Sequence, residues 1–590
     1  MGIQQTIAAD GQQSSTTASA PTRRPSFVII LTDDQDDLLN STHPHFMPAL
    51  NARLAQEGTR LSNFVVPTGF CCPARTSLLT GRYSHCHNLT ANKNSDDKGV
   101  TVGGFRKFYE EGLDKEWVYG VLQAGGYTTH HMGKLLNGYE ENCTFMSPEH
   151  LRTGYLPRGL TTLDALSEYI YSQYESCWSL NGAPRVCYPG EYQTDVLRDK
   201  AVSFIRSAAA KPDQPFLLLL APTAPHRELN PKNGIYQPAA RHRNLYAGEQ
   251  IAPPQGPNFG VENPHIPWRT LDPGTDLLAE VSDDFLGRQR MLRAVDDMVD
   301  AVVAAVEETG LQESTYVFFS SDNGFHLGAF NLRFGKNTPI EEDVRIPFFA
   351  RGPGIQAGAA LPHQGNMIDI APTLLTLAGL PVPDWMDGMP LPLTPDLASA
   401  HEALLRAANP QPRGPAPQPG GSPDAPQLRR DSTILEAWAT NGVEYGFDES
   451  KMHFKALRLC TTARILEPSL RTDLGSEADW AARFVVGPGL YCYKYVAWCG
   501  PQELRDLYDL AADPYEIDNR FSDAPARILD RLDAVLSVLA HCSGASCRSP
   551  YSLLHPYGGV QDFAGGAPAA SASESTTRPS VQAAAAPGAP

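Results

Sequence analysis

Four short runs of almost continuously apolar residues constrain the fold of this chain more than any other feature of the sequence. They span Phe27–Leu31, Phe216–Leu220, Tyr316–Phe319 and Ile346–Ala350, and helical stretches alternate with them. Strands that are covered on both faces have this composition, because neither face meets water. The apolar spacing of Phe285–Glu308 is helical. The pattern therefore predicts an α/β domain with a large, mostly parallel sheet and helices on both faces.

The α/β alternation does not run to the end of the chain, and composition divides the rest. Residues 1–25 are polar and predict a disordered leader, followed by the α/β domain over residues 26–407. Residues 408–430 are rich in proline and glycine, which indicates a linker or a long loop. We expect a smaller antiparallel α+β subdomain over residues 431–550 and a disordered Ala/Ser/Pro-rich tail over residues 551–590. In the subdomain the sequence predicts strands near Ser432–Trp438, Phe454–Arg458 and Leu490–Val496, and a helix near Ala526–Leu539.

The composition limits the possible partners. The formal net charge is −18, which argues against a general nucleic-acid binder. An anionic substrate would therefore need a local basic pocket. No apolar run approaches the roughly 20 residues that a membrane span requires, so we expect no span.

The cysteine content is high for a cytosolic enzyme, at 11 residues. Apart from Cys71 there are ten, an even number, as a complete set of disulfides requires. The first candidate pair is Cys177 with Cys187, which are separated by a polar loop that contains Gly182 and Pro184, and the second is Cys542 with Cys547.

The sequons and the N-terminal residues give opposite indications about export. Three N-glycosylation sequons, at Asn40, Asn88 and Asn142, are typical of a secreted, periplasmic, cell-wall or lysosomal glycoprotein. Residues 1–25 contain no apolar signal segment, so either the natural start lies upstream or the enzyme is cytosolic. Together with the cysteines, the sequons lead us to expect export.

Acidic residues follow two of the predicted strands at the point where each strand ends. Asp33 and Asp34 come directly after the first strand, and Asp322 and Asn323 follow Tyr316–Phe319. In an open parallel sheet, ligands bind beyond the carboxyl ends of the strands. Each segment alone also fits a helix cap or a turn. Two such strand ends in one chain favour a divalent cation with hard oxygen ligands, Ca²⁺ or Mg²⁺ rather than zinc.

The segment CCPARTSLLTG, residues 71–81, predicts a short helix with proline near its start and glycine at its end. Cys71 then lies at the positive end of that helix, where an anion is stabilised. From the residues alone, the adjacent cysteines also fit a disulfide or a buried pair ahead of a helix.

Cys-x-Pro-x-Arg followed by Leu-Thr-Gly resembles the signature of the type I sulfatases, in which that cysteine is oxidised to formylglycine (3-oxoalanine). The resemblance runs from Phe27 to about Asn519 and is closest to the arylsulfatase and N-acetylglucosamine-6-sulfatase branch. It includes Gly133-Lys134, Ala224-Pro225-His226, Asp322-Asn323-Gly324, IPFFARGPG from Ile346, DIAPTLL from Asp369, and LYDL from Leu507 with Asp513, Pro514 and Glu516. It implies an alkaline-phosphatase-like sulfatase fold, with a large mixed sheet and a smaller C-terminal subdomain.

The resemblance also implies a role for each site residue. A hydrated formylglycine offers one hydroxyl that attacks sulfur and a second that expels sulfate as the aldehyde re-forms. Arg75 would hold the formylglycine hydroxyl, Lys134 and Lys336 would neutralise the sulfate, and His226 would protonate the leaving alcohol. Maturation would require a formylglycine-generating enzyme as a partner. The ion, Ca²⁺ or alternatively Mg²⁺, would be held by Asp33, Asp34, Asp322, Asn323 and the modified Cys71.

Two positions depart from the family pattern. Leu136 stands where many members have the histidine of Lys-x-His, and Asn137, His130 and His131 remain as candidates to replace it. Ala74 stands where serine is common, but the oxidation signal depends mainly on the cysteine, proline and arginine, so we expect conversion to proceed.

Several basic residues also have a simpler interpretation. Without the motifs, Lys134 and Lys336 fit solvated side chains and His226 fits a loop cap. His326 fits a structural or substrate-rim residue better than a catalyst.

The sequence therefore predicts a sulfuric ester hydrolase of the arylsulfatase type, which acts on an aryl sulfate or a sulfated sugar. The alternatives are an N-acetylglucosamine-6-sulfatase and a phosphodiesterase or phosphonate monoester hydrolase of the same superfamily. A non-catalytic binder of sulfated glycans is disfavoured, since nearly every site residue is present. Loops such as Ser147–Tyr192 and Pro222–Pro273 would select the substrate.

Overall fold

The computed structural model describes residues 23–566, except for 97, 140–144, 148, 151–153, 229–233, 267–275, 410–429, 439–442, 445–446, 449–451, 468–489 and 501–502. The predicted leader, apart from its last three residues, and most of the predicted linker lie outside the described residues.

The described strands form one large sheet, one four-stranded sheet and one two-stranded sheet. In chain order they are β1 Ser26–Thr32, β2 Thr59–Val65, β3 Thr128–Gly133, β4 Thr162–Ser167, β5 Cys177–Leu180, β6 Val186–Cys187, β7 Phe216–Ala221, β8 Thr315–Ser321, β9 Phe348–Arg351, β10 Ala359–Asn366, β11 Ser432–Ala437, β12 Val443–Glu444, β13 Phe447–Asp448, β14 Phe454–Thr461, β15 Tyr491–Trp498 and β16 Arg505–Asp509.

The large sheet has the order β10-β2-β9-β8-β1-β7-β3-β4-β5-β6 among the described strands. Its centre, β8-β1-β7-β3-β4, is parallel throughout. Strand β9 runs antiparallel to both of its neighbours. A continuous apolar run reports burial on both faces, not strand direction, and β9 lies inside the sheet. The predicted large, mixed, mostly parallel sheet is confirmed.

The helices cover the two faces of this sheet. In chain order they are α1 Pro48–Leu50, α2 Cys71–Thr80, α3 Ser84–His87, α4 Gly104–Glu111, α5 Val118–Ala124, α6 Gln193–Ala208, α7 Leu277–Glu308, α8 Glu341–Val344, α9 Ile370–Leu377, α10 Pro395–Ala408, α11 Ala526–Leu539, α12 Ala545–Arg548, α13 Tyr551–Leu554 and α14 Phe563–Gly566, with a π-helix at Asn51–Ala55 and 3₁₀ turns at Leu113–Lys115, Ala240–His242, Gln312–Ser314 and Met367–Asp369. Alternate residues of β1 enter different cores: Ile29 packs with α2, α5 and α9, and Ile30 packs with α6 and α7. Both faces of β1 are therefore buried, as its sequence predicts.

The C-terminal subdomain is built on the antiparallel sheet β11-β14-β15-β16. Helix α11 packs its apolar face against this sheet, in a core that includes Leu457, Tyr495 and Leu532. The predicted disordered tail is wrong for residues 551–566. Tyr551 and Phe563 are buried, and both donate hydrogen bonds to the Asp431 carboxylate.

Both predicted disulfides are present, with Cα–Cα distances of 4.0 Å for Cys177–Cys187 and 5.0 Å for Cys542–Cys547. A third disulfide, which the sequence did not predict, joins β14 to β15 through Cys460 and Cys492. The expectation of a complete set of disulfides is wrong, because Cys86 and Cys499 are free thiols. Cys143 lies outside the described residues. Within the described chain, no helix has the length and apolar character of a membrane span.

Candidate active site

Four adjacent parallel strands bring the predicted site residues to one edge of the sheet. Asp33 follows β1 and Asp322 follows β8, and the last residues of these strands, Thr32 and Ser321, are register partners. Lys134 follows β3. Strand β7, between β1 and β3, ends five residues before His226. The shared carboxyl edge of β8, β1, β7 and β3 is therefore where the site forms.

Three carboxylates and one amide lie close together at this edge. Carboxylate oxygens of Asp33, Asp34 and Asp322 lie within 4.8 Å of one another and of Cys71 Sγ. The Asp34 backbone N–H donates to Asp322 Oδ1 at 3.0 Å, and Asn323 Nδ2 donates to Asp34 Oδ1 at 2.8 Å. All of these residues are fully buried. Burial and the negative charge of Asp33 raise the pKa of Asp322, against the opposing effect of Arg75. The cluster is electrostatically costly unless cations hold it.

Cys71 is the first residue of α2, as the sequence predicts, and Gly81 ends that helix in the left-handed conformation. The Cys71 thiol is fully buried, 2.8 Å from Lys336 Nζ and 3.6 Å from Asp33 Oδ1. Burial raises the pKa of this thiol well above its ordinary value, although Lys134 and Lys336 oppose the shift. An unmodified Cys71 is therefore a neutral thiol and a weak nucleophile.

Each carboxylate is paired with at least one basic side chain. Arg75 Nε lies 2.9 Å from Asp322 Oδ2, and its Nη2 lies 3.5 Å from Asp33 Oδ2. Lys134 Nζ lies 2.5 Å from Asp33 Oδ2, and Lys336 Nζ lies 2.6 Å from Asp34 Oδ1. All three basic side chains are at most 2% exposed, so the solvated alternative for the two lysines is wrong. Burial alone would lower the pKa of Lys134, but Asp33 and the other acidic groups around the ammonium together outweigh burial, and the pKa is raised.

His226 lies beside the carboxylates, with Nε2 3.7 Å from Asp34 Oδ2. Its Nδ1 is 2.7 Å from the Arg227 carbonyl, which accepts only if Nδ1 carries the hydrogen. Burial lowers the pKa of His226 to about 4, although Asp34 opposes this shift. The ring is therefore neutral at pH 7, with an unprotonated Nε2 directed into the site.

Tyr171 also belongs to the site, although it lies in no recognisable sequence motif. Its ring stacks on His226 with a centroid distance of 4.0 Å and an interplanar angle of 21°. Its hydroxyl lies 3.0 Å from Lys134 Nζ. Tyr171 follows β4 on an irregular segment in which Glu168 and Tyr169 both have positive φ. Neither periodicity nor spacing in the sequence signals such a placement.

The three candidates for the missing histidine have different surroundings. His130 contacts Thr162 Oγ1, and His131 contacts Tyr119 on the other side of the strand. Asn137 is the candidate whose side chain meets the site, with Nδ2 2.9 Å from Tyr171 Oη. His326 is fully buried, and its Nδ1 lies 2.8 Å from Asp343 Oδ1.

The site fits a divalent cation. Three carboxylates and an amide oxygen are the hard ligands that Ca²⁺ and Mg²⁺ prefer. Asn323 Oδ1 is buried and accepts no hydrogen bond from any described group. A buried carbonyl oxygen without a partner is costly, and a bound cation would satisfy it.

Three buried carboxylates flanked by buried lysines, at the carboxyl edge of this α/β sheet, are the arrangement expected of a metal-dependent hydrolase. The family model "Sulfatase" matches residues 25–380. The arylsulfatase of Volvox carteri is 33% identical over 576 residues, which cover 93% of this chain and 79% of that protein. The N-acetylglucosamine-6-sulfatase of Homo sapiens is 28% identical over 540 residues, 90% of this chain and 87% of that protein.

A solved structure shares the fold. It is a protein in complex with its substrate D-glucosamine-2-N,6-O-disulfate, with a TM-score of 0.60 at 20% identity, and the match covers 87% of this chain and 97% of that one. This chain belongs to the sulfatase family, whose members use formylglycine and a divalent metal ion. It is an enzyme that hydrolyses sulfate esters, and the predicted family, fold and reaction are confirmed.

Proposed function

We propose that the chain is an arylsulfatase that uses a formylglycine made from Cys71 and a Ca²⁺ ion held by Asp33, Asp34, Asp322 and Asn323. The observation that carries the proposal is the convergence of these oxygen ligands on the first residue of α2. A thiol is a soft ligand beside hard carboxylates, and conversion to an aldehyde hydrate removes that mismatch. Ca²⁺ is preferred to Mg²⁺ because Mg²⁺ usually retains several water ligands.

The two groups that maturation and metal binding would add supply the reactive chemistry. A hydrated formylglycine provides a hydroxyl nucleophile and a second hydroxyl whose deprotonation expels sulfate, and the ion lowers the pKa of the nucleophile. Cys71 is fully buried, so the formylglycine-generating enzyme would have to reach it before this segment packs.

The remaining residues position the reactants and neutralise charge. Lys134 and Lys336 would contact the sulfate, since their Nζ atoms flank Asp33 and Asp34 beside Cys71. Arg75 would face the formylglycine hydroxyl. Its guanidinium also holds Asp322 and the Lys134 carbonyl, at 2.9 Å each. A shift of Arg75 would therefore disturb both the ion and the sulfate contacts.

The leaving group separates the two candidate substrates. A phenol is a much better leaving group than a sugar alcohol and needs less protonation in the transition state. A sugar sulfate would therefore depend more strongly than an aryl sulfate on proton transfer from His226, whose Nε2 lies 3.7 Å from Asp34 Oδ2 in the site. The 33% identity to an arylsulfatase supports the aryl ester. Glucosamine 6-sulfate is the comparison substrate, because an N-acetylglucosamine-6-sulfatase is also a relative of this chain.

Three described disulfides support an exported enzyme, because disulfides persist in oxidising compartments. Among the sequons, Asn88 is exposed and Asn40 is partly buried, so Asn88 is the better candidate for glycosylation. Peptide mapping without reduction and glycopeptide analysis of the natural protein test this assignment.

Mass spectrometry of the peptide that contains Cys71 is the direct test of the proposed function. We expect a mass that corresponds to formylglycine at Cys71, with Cys72 unchanged. The same preparation should hydrolyse an aryl sulfate faster than an aryl phosphodiester and faster than glucosamine 6-sulfate. A preparation that is active with an unmodified Cys71 would refute the mechanism, and a preference for the diester would refute the substrate class.

A further inference from the structure

The Tyr171 hydroxyl is placed among the groups proposed to contact sulfate. Its oxygen lies 3.0 Å from Lys134 Nζ and 2.9 Å from Asn137 Nδ2. Tyr171 is only 9% exposed. The family pattern does not assign this residue, because it lies on a loop without a motif.

The donor and acceptor roles around the hydroxyl determine where its hydrogen points. An ammonium and an amide NH₂ can only donate, so Lys134 and Asn137 occupy both lone pairs of the phenolic oxygen. The Cys72 thiol donates to Asn137 Oδ1 at 3.4 Å, which favours the orientation of the amide with Nδ2 towards Tyr171. In the described part of the chain, no group accepts the hydrogen of Tyr171. A buried hydroxyl without an acceptor is costly, and a ligand oxygen would remove that cost.

Buried glutamines hold Tyr171 in this position. Gln193 Nε2 donates to the carbonyls on either side of Tyr171, at 2.9 Å each, and Gln173 Nε2 donates to the Tyr171 carbonyl at 3.3 Å. Gln193 Oε1 accepts from Thr223 Oγ1 at 2.7 Å. Thr223 precedes His226 in the loop after β7, so the two loops form one buried network. The hydroxyl is thus fixed before substrate binds.

We propose that Tyr171 donates its phenolic hydrogen bond to a non-bridging oxygen of the substrate's sulfate. A sulfate oxygen within reach of Lys134 Nζ is also within reach of a hydroxyl 3.0 Å from that atom. No covalent bond to Tyr171 forms or breaks; the hydrogen bond strengthens as charge grows on sulfate. Leu136, which replaces the family's histidine, is buried among apolar residues and offers no polar atom. The inference rests on the proposed function, because it requires sulfate beside Lys134.

Tyr171→Phe tests the proposal, because it removes the hydroxyl and keeps the ring that stacks on His226. Tyr174→Phe is the matched control: it lies on the same loop, and its hydroxyl donates to the Pro238 carbonyl at 3.2 Å, away from the site. For each variant, kcat/KM is measured with two aryl sulfates whose phenols differ in acidity. The inhibition constant of inorganic sulfate, the melting temperature and the formylglycine content are measured alongside.

We expect Tyr171→Phe to lower kcat/KM about 10- to 100-fold for both esters, and to weaken inhibition by sulfate about 10-fold, as the loss of one hydrogen bond to an anion predicts. Tyr174→Phe should match the wild type. An unchanged inhibition constant for sulfate would refute the contact. A loss confined to the ester of the less acidic phenol would instead assign Tyr171 to the support of His226. Equal losses in both variants would indicate a disturbed loop and also refute the proposal.

The wild-type measurements separate the two hypotheses. A wild type that hydrolyses aryl sulfates, with an unaffected Tyr171→Phe variant, refutes the inference alone. A wild type without formylglycine or turnover refutes the proposed function, and the inference fails with it.

Discussion

Arg458→Met should destabilise the enzyme strongly, because Arg458 belongs to a buried group of charges that joins the four-stranded C-terminal sheet to helix α8. Arg458 Nη2 and Nε, from β14, lie 3.0 and 3.1 Å from the Glu341 carboxylate at the start of α8. Lys494 Nζ, from β15, lies 2.9 Å from Glu341 and 2.7 Å from Glu516. All four side chains are at most 3% exposed. The substitution keeps the volume of the side chain but removes one of the two cations that hold Glu341.

The magnitude follows from burial. Removing one partner of a buried ion pair typically costs about 3–5 kcal/mol, because the remaining charge loses its compensation. Gln364 Oε1 also loses a donor at 2.8 Å. Burial raises the pKa of Glu341, but Arg458 and then Lys494 outweigh it, and the pKa in the folded protein is below its ordinary value. This contribution is present above the unfolded pKa of about 4.3 and is lost as pH falls, so stability should be compared at pH 7.

Urea unfolding of the purified protein, followed by fluorescence, measures the effect. We expect a lower midpoint with an unchanged slope, which corresponds to a loss of about 3–5 kcal/mol. Arg464→Met is the control, since Arg464 is 38% exposed and lies 3.9 Å from Asp509; it should change stability by less than about 1 kcal/mol. Turnover of Arg458→Met should fall at urea concentrations below the midpoint, because α8 also carries Asp343, which binds Thr338 beside Lys336. Equal midpoints for the two variants would refute the reasoning.

The remaining predictions concern the site and the response to acid. Cys71→Ser should fold and bind the ion but release only about one phenol per active site, because a serine sulfate has no second hydroxyl to expel sulfate. Cys72→Ser should keep multiple turnovers, and the burst stoichiometry of phenol release distinguishes the two variants. Chelation should abolish turnover and lower the melting temperature, and added Ca²⁺ should restore both. Asn323→Ala should require a higher Ca²⁺ concentration for half-maximal turnover. Full activity without bound metal would exclude the metal assignment. Burial lowers the pKa of His130 to about 4, below its value of 6.5 in the unfolded chain. The unfolded chain therefore binds a proton first as pH falls below 6.5, and the free energy of unfolding decreases. His130→Gln should therefore reduce the stability lost between pH 7 and pH 5 by about 2 kcal/mol in urea titrations, and equal losses would contradict this origin.

The sequence predicts most of the fold because burial determines composition. Strands β1, β7 and β8 lie in the sheet interior and have no polar face, so their apolar runs mark them. Their carboxyl ends must meet at one edge, and acidic residues directly after β1 and β8 therefore predict a shared ligand site. Helix α2 is predictable for a local reason, since proline near its start and glycine after its end restrict the backbone.

The features that the sequence does not predict depend on contacts between distant segments. Cys460 and Cys492 face each other only because β14 and β15 pair in that register, and the intervening residues carry no signal of the register. Tyr171 reaches Lys134 only because an irregular loop after β4 folds back over the sheet edge. A pattern along the chain reports local geometry and burial, and such pairings require the tertiary structure.

The charge of the site explains how an acidic protein can process an anionic ester. Among the described residues of the site, Arg75, Lys134 and Lys336 contribute three positive charges, and Asp33, Asp34 and Asp322 contribute three negative charges. The sum is zero, and His226 adds nothing at pH 7 because its pKa is about 4. The predicted local basic pocket is therefore not basic by its side chains alone. On the proposed function, a divalent cation makes the site positive, and the low dielectric of the buried edge strengthens its attraction for the ester. Attraction of sulfate then depends on the metal and not on the overall charge of −18.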